Sequence, residues 1–329
     1  MNTRFLSREL ETPPVLHLLS GRFLFAYVTT MRPYLMFVSG ITGIAGLSHA
    51  PASGFFREML IAASAFLSYG FGQALTDCFQ TDTDSISSPY RPLTQGLINR
   101  AQVLSVSIPS LVLCVVVFGM ANPINYLVGI LAGVGLATYT PFKRRWWGGP
   151  FYNAWIVTAL CYMCMLTGPA PFAPHTLWTL SAVFFGYANF VLSGYFKDIE
   201  ADRATGYYTL PVVFGRLKSA VVSDLFALLA CISTVGALVP DLMEANATSR
   251  YAAVLALAGI AAALVGQARL HHVQTDNEAH RAIAPVVHSY ILLLSSIAVI
   301  HRPSWIPAIL LFYAAFVFVM DGRPEKTQI

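Results

Sequence analysis

The chain has 329 residues, 56% of them hydrophobic and only 11% charged, with a formal net charge of +4. Its mean hydropathy of +0.61 excludes the pair of soluble domains that the length alone would permit. So small a positive charge is loop bias, not a nucleic-acid patch. Of the five cysteines, Cys114, Cys161, Cys164 and Cys231 lie inside apolar runs and only Cys78 does not. In such runs cysteine is a small hydrophobe, and Cys161-x-x-Cys164 lacks the second pair that a zinc or redox site would need.

Residues 1–21 read as a polar cytoplasmic segment and not as a cleavable signal, since Arg4, Arg8, Glu9, Glu11 and two prolines precede the first apolar run. Apolar runs follow at 23–47, 58–77, 102–120, 123–141, 152–168, 175–196, 217–239, 251–268, 285–300 and 304–320. Runs of about 20 residues span a bilayer core, and runs of this length satisfy their backbone in lipid as helices. The expected fold is therefore all-α, polytopic and membrane-embedded, with no linker to divide residues 1–329 into domains. His301-Arg302-Pro303 interrupts the last two runs, so nine and ten spans both fit.

Basic residues give the orientation. The N-terminal side collects Arg4, Arg8, Arg22, Arg91, Arg100, Lys143, Arg144, Arg145, Lys197, Arg203, Arg216, Lys218, Arg269 and Arg281; the far side keeps Arg57, Arg250 and Arg302. This places the N-terminus and the loops after spans two, four, six and eight in the cytoplasm. Far-side connections are short and nearly uncharged, as in Ala121-Asn122-Pro123 and Gly168-Pro169-Ala170-Pro171. Asn246-Ala-Thr248 on that side matches a glycosylation acceptor, a motif common by chance.

Two stretches break the economy of charge. Gly72–Gly96 ends span two and carries Asp77, Asp82 and Asp84; Tyr195–Gly206 ends span six and carries Asp198, Glu200 and Asp202. One acid near a helix end needs no explanation, because the insertion penalty is small there. Two clusters drawn from sixteen acidic residues do. Gln73 and Asp77 are four apart, as are Asp198 and Asp202, so each pair shares a helix face. Hard divalent cations such as Mg²⁺ take oxygen ligands, commonly one or two carboxylates plus substrate phosphates. The reading is that the two stretches face each other and hold divalent metal on a diphosphate. Arg91, Lys143 and Lys197 stand nearby as phosphate-binding cations, with Arg145 left to membrane anchoring.

These residues resemble the paired aspartate motifs of the UbiA superfamily, the intramembrane prenyltransferases. The second stretch reproduces that family's second motif: Lys197, then Asp198-x-x-x-Asp202-x-x-x-Gly206-x-x-Thr209-Leu-Pro-Val, ending at Gly215. Pro89-Tyr-Arg-Pro-Leu-x-x-Gly96, Arg32-Pro33 in span one and Tyr139-x-Pro-x-Lys143-Arg144 after span four match as well. The resemblance implies a bundle of about nine transmembrane helices around a central cavity, capped by cytoplasmic loops. It implies Mg²⁺-dependent transfer of a prenyl group from an isoprenyl diphosphate to an apolar or aromatic acceptor. By position, Asp77, Asp84, Asp198 and Asp202 are the catalytic metal ligands. Gln73, Arg91, Lys143 and Lys197 contact diphosphate or metal, and Arg32, Tyr139 and Arg144 join the substrate-binding set. The first motif departs from the family's Asn-x-x-x-Asp-x-x-x-Asp: Gln73 stands for Asn, and six residues separate Asp77 from Asp84. Measured back from Arg91, Asp84 occupies the last Asp position, so three extra residues are expected in the loop, with Asp82 available as a displaced ligand.

Tyr187, Asn189, Tyr195 and Tyr290 are cavity-lining candidates, although ordinary helix packing is the better reading of each. Asp224 is either a cavity carboxylate or a helix-start residue; His271-His272 point apart and read as loop. Two rivals to prenyl transfer stay open: a membrane terpene cyclase of the same superfamily, and a cation-coupled transporter. Transporters usually place such acids near the midplane, whereas these lie at helix ends.

Overall fold

The computed structural model describes residues 15–168, 173–243 and 246–323. Residues 1–14 of the N-terminal segment and Pro169–Pro171 of the far-side turn lie outside the described residues. All ten apolar runs are helical, and no strand occurs among the described residues. The helices are α1 (Gly21–Met31), α2 (Pro33–Ser48), α3 (Phe55–Asp77), α4 (Thr81–Ser87), α5 (Arg100–Ala121), α6 (Ile124–Lys143), α7 (Gly149–Met165), α8 (Pro174–Gly194), α9 (Ile199–Ala204), α10 (Leu210–Leu242), α11 (Ala247–Leu270), α12 (His280–His301) and α13 (Ile306–Asp321). Eight of them, α3, α5, α6, α8, α10, α11, α12 and α13, are long and apolar enough to cross a membrane, and α2 is a shorter apolar helix. The chain is a multi-pass integral membrane protein.

Consecutive long helices pack side by side, and α12 packs back against α2, which closes the series into a ring. Side chains that face outward are large and apolar, for example Leu113, Leu127, Leu217, Leu257, Leu264 and Phe318, as a lipid-facing surface requires. With no water to drive burial, association in lipid rests on close packing and interhelical hydrogen bonds. Both are present. On α2, a Cβ at Gly46 would stand 2.4 Å from the Cys161 carbonyl oxygen of α7, and one at Gly43 would stand 2.3 Å from Ala65 Cβ of α3. Asn189 of α8 accepts from Ser223 Oγ of α10 at 2.6 Å and from Gln267 Nε2 of α11 at 3.0 Å.

One expectation changes. The run 23–47 is not one helix: it breaks at Arg32, which has φ 54° and ψ 71°, between α1 and α2. Pro33 accounts for the break, since it disfavours the α region for the residue before it and suits the first turn of α2. Both ends of α1 are tied to the same end of the bundle, through Leu16 N donating to Leu97 O and Arg32 bonding Asp77. α1 therefore lies across that end, and α2 alone enters the bundle. The last two runs are also distinct helices, joined by a 3₁₀ turn at Pro303–Trp305.

The acidic end, here the mouth, holds the C-termini of α3, α6 and α8 together with α4 and α9. The opposite end is closed by polar contacts of its own. Asn122 Nδ2 donates to Leu166 O at 2.7 Å, Arg302 pairs with Glu58 at 3.7 Å, and the rings of His49, His175 and His301 pack together.

Candidate active site

Both acidic stretches, expected as loops, fold into one short helix each. After α3 the chain turns without interruption: Phe79 N bonds Thr76 O at 3.0 Å and Gln80 N bonds Asp77 O at 3.2 Å. Gln80 then starts α4, and the Asp84 N–H returns to Gln80 O at 2.9 Å. Residues 78–80 form the turn that joins α3 to α4, and Gln80 and Asp84 then have the same spacing of four as Asp198 and Asp202. In the second stretch Asp198 starts α9, and the Asp202 N–H returns to Asp198 O at 2.7 Å. Gly206, at φ 75°, adopts a left-handed conformation open to glycine. That turn brings Tyr207 N to Asp202 O at 2.8 Å and Thr209 Oγ1 to Asp202 Oδ2 at 3.2 Å.

The two short helices meet. Thr83 Oγ1 of α4 donates to Asp202 Oδ1 of α9 at 3.3 Å, so the stretches after spans two and six face each other at one mouth. Beneath them opens a cavity of about 220 Å³ enclosed by α2, α3, α5, α6, α7 and α8. Its polar end is lined by four cations, Arg32, Arg91, Lys143 and Lys197, and by three carboxylates, Asp77, Asp84 and Asp198. The rest is apolar, reaching Phe118, Gly129 and Met163 near the opposite end of the bundle. Along α6 the lining runs from Lys143 to Gly129, about 21 Å at the helical rise of about 1.5 Å per residue.

The two arginines at the polar end are paired with Asp77 and Asp84. Arg32 Nη2 lies 2.9 Å from each carboxylate oxygen of Asp77, and Gln73 Nε2 donates to Asp77 Oδ1 at 2.6 Å. Arg91 Nη1 lies 2.6 Å from Asp84 Oδ2 and 3.9 Å from Asp77 Oδ2. Lys143 Nζ donates to Gln80 Oε1 at 2.8 Å and faces the rings of Tyr207 and Tyr195 at 5.3 and 5.7 Å. Tyr139 and Tyr195 share a hydroxyl–hydroxyl bond of 2.9 Å. Desolvation raises the Asp84 carboxyl above its ordinary range; Arg91 opposes that and Asp77 adds to it. Asp202, fully buried behind the lining, is pushed up to about 7 by burial, against Lys143 and with help from Asp198. Asp198 goes the other way: burial works against its charge, but Lys197, Lys143, Arg91 and Arg32 outweigh that and hold it below the usual carboxylate range.

Asp82 and Arg144 stand apart from this lining. They bond each other at 2.9 Å with roughly half-exposed side chains, and the Tyr207 hydroxyl donates to Asp82 Oδ1 at 3.2 Å. Together they clamp α4 to the segment after α9. Of the aromatic candidates, Tyr187 and Tyr195 line the cavity. Tyr290 instead bonds Thr42 at 2.7 Å, Asn189 serves packing, and Asp224 binds His271 at 2.7 Å away from the cavity. The Asn246 side chain caps α11, accepting from Ser249 N at 2.9 Å. Sequence reasoning passed over Gln80 and Thr83. The signal for Gln80 was present, four residues before Asp84 as Asp198 is before Asp202.

The donors suit a hard divalent cation, being carboxylate oxygens brought together by two helices. Among the described residues no group of three or more acidic, histidine or cysteine side chains is arranged to hold an ion by itself. A metal held there by one or two carboxylates would keep waters and take substrate phosphate oxygens as its remaining ligands.

Fold and site define a multi-pass helical membrane protein in which a charged pocket crowns a deep apolar cavity. The chain belongs to the UbiA prenyltransferase family, whose model matches residues 35–297. It is 29% identical over 216 residues to the digeranylgeranylglyceryl phosphate synthase of Thermococcus kodakarensis, covering 64% of this chain and 76% of that one. A solved UbiA homologue from Archaeoglobus fulgidus, bound to GPP and Mg²⁺, superposes with a TM-score of 0.65 at 19% identity, covering 84% of this chain and 99% of the other. An apo UbiA homologue from Aeropyrum pernix gives a TM-score of 0.63 at 16% identity, over 86% of this chain and 98% of the other.

Proposed function

We propose that the chain is a Mg²⁺-dependent intramembrane prenyltransferase that ionises an isoprenyl diphosphate at the mouth and transfers the prenyl group to an acceptor. The observation that carries this reading is the two-part cavity: four cations and three carboxylates at one end, an apolar tube behind them. A diphosphate headed by a hydrocarbon chain has the same two parts. Arg32, Arg91, Lys143 and Lys197 bind and orient the diphosphate. Asp84 and Asp198, with Asp202 behind them and Asp77 beside them, are the residues that would hold Mg²⁺. When bound, the metal supplies Lewis-acid neutralisation of the charge that develops on the leaving group. The apolar walls hold the prenyl chain and exclude water. The faces of Tyr69, Tyr139, Tyr187 and Tyr195, all in the lining, favour the allylic cation through their ring quadrupoles.

The relatives' own product is a digeranylgeranylglyceryl phosphate, which makes a glyceryl phosphate carrying one geranylgeranyl group the first acceptor to test beside apolar and aromatic ones. The mouth faces the cytoplasm in this reading, because the basic residues of the connections gather there and, among the described residues, only Arg57, Arg250 and Arg302 lie at the other end. Residues 1–329 work as one integral-membrane unit, which ring closure of α12 on α2 supports.

The test is turnover in proteoliposomes of geranylgeranyl diphosphate with Mg²⁺, with each acceptor and without any. Acceptor-dependent product, abolished by Asp198→Ala or Asp202→Ala, is expected. Cyclic hydrocarbon formed without acceptor would instead identify a cyclase, and turnover unaffected by either substitution would remove the site.

A further inference from the structure

The two halves of the mouth are built alike in backbone, and they differ in the charge of the residue that opens each. Each opens on a cap residue, Gln80 or Asp198, and each carries an aspartate four residues later whose N–H returns to the cap carbonyl, at 2.9 and 2.7 Å. Gln80, Asp84 and Asp198 line the same cavity. Gln80 is therefore the counterpart of Asp198, and a neutral carboxamide stands where the other half has a carboxylate.

Its neighbours deepen the asymmetry. The Gln80 carbonyl oxygen accepts from the Lys143 ammonium at 2.8 Å, so a fixed positive charge sits on the oxygen that would have to become a metal ligand. Asp84 is bound to Arg91 at 2.6 Å, and Asp77 to Arg32 at 2.9 Å. No carboxylate of this half is free of a guanidinium, and both oxygens of Asp77 are engaged. Mg²⁺ sheds water reluctantly and binds where anionic oxygens outnumber cations.

We propose that Gln80 keeps the α4 half of the mouth from taking a divalent cation by itself, so that metal joins this half only together with the diphosphate. The inference rests on the diphosphate reading of the site and adds an order of assembly to it. Diphosphate oxygens meet Arg32, Arg91 and Lys143, loosen the existing ion pairs and supply the anionic ligands that Gln80 does not. Metal affinity and diphosphate affinity are then reciprocally coupled. Gln80 acts as a positioning and charge-setting residue.

The test is Mn²⁺ titration of the purified protein followed by electron paramagnetic resonance, with and without inorganic diphosphate. For the natural chain, Mn²⁺ bound to the α4 half appears only with diphosphate. Gln80→Asp should bind Mn²⁺ there without diphosphate, with affinity raised at least about tenfold by the added charge, whereas Gln80→Asn should behave as the natural chain does. Lys143→Gln, which removes the ammonium and leaves Gln80, should also tighten Mn²⁺ binding and serves if Gln80→Asp does not fold. If the folded variants leave Mn²⁺ affinity without diphosphate within about twofold, the inference is wrong. If they shift it but no prenyl diphosphate is turned over, the functional reading fails and the charge asymmetry stands.

Discussion

Arg32 carries the most consequential contact at the residue scale. It is the only non-glycine residue with positive φ among the described residues, at 54°, a conformation that costs of order 1–3 kcal/mol. Its Nη2 reaches both carboxylate oxygens of Asp77 at 2.9 Å, and this charge-assisted contact offsets that strain. Arg32→Ala leaves Asp77 buried with Arg91 3.9 Å away, and breaking a buried pair in this way costs about 3–5 kcal/mol. Thermal unfolding in detergent should show that loss. Adding Asp77→Asn should recover much of it, and Arg32→Lys should cost less than Arg32→Ala, because it keeps a positive charge beside Asp77. Asp202 yields a pH prediction. Its carboxyl, raised to about 7 by burial, is protonated below that pH, so in the proposed site metal would compete with a proton there. Mg²⁺ affinity should rise with pH up to about 7 and flatten above it. For the metal-free protein the sign is opposite: a raised acid pKa means the folded state holds the proton longer, so its stability falls as pH climbs from the ordinary carboxylate value through 7. Melting curves at the two ends of that window, with and without Mg²⁺, check both statements, and Asp202→Asn should flatten them.

At the scale of elements, the geometry of the cavity depends on how near α2 stands to α7. Gly46 makes that approach possible, since a Cβ there would lie 2.4 Å from a backbone oxygen of α7. Backbone cannot move aside as a flexible side chain can. Gly46→Leu should therefore separate the two helices, with an overpacking cost of about 1–3 kcal/mol. α2 contributes Leu35 and Ser39 to the cavity wall and α7 contributes Ile156, Val157 and Leu160. Turnover should fall along with the melting temperature, whereas Gly21→Ala, at the start of α1 with open space around it and outside the cavity lining, should change neither measurably. The short helices obey a different logic. α4 and α9 have seven and six residues, too few to be stable alone. Bonds from Thr83 and Thr209 to Asp202, and from Arg144 and Tyr207 to Asp82, hold them in place.

For the whole molecule, the ring of helices leaves one deep space whose bottom is formed by α5, α6 and α7. Its depth limits the prenyl chain it takes. Ala132 lines the cavity on α6, eleven residues from Lys143, or about 16 Å down the helix. Ala132→Phe should lower kcat/KM for geranylgeranyl diphosphate at least about tenfold, since misfit in a closed apolar pocket costs one or more kcal/mol, while geranyl diphosphate should be little affected. Competition between the two substrates in one assay measures that ratio directly.

Much of this architecture was legible in the order of residues. All ten apolar runs became helical, the first as two helices, because lipid leaves the backbone no other partner than itself. Asp198 and Asp202 were readable as a pair because spacing of four has one meaning on a helix. The break at Arg32 was written in Pro33, although only the fold showed that the freed guanidinium reaches Asp77, 45 residues away in the chain. Which charges share the mouth, that Asp82 turns outward to Arg144, and that Gln80 faces Lys143 were decided by tertiary structure. Local sequence sets periodicity and end signals, which are short-range properties of the backbone. Contacts between residues tens of positions apart depend on how helices cross, and no local pattern encodes that.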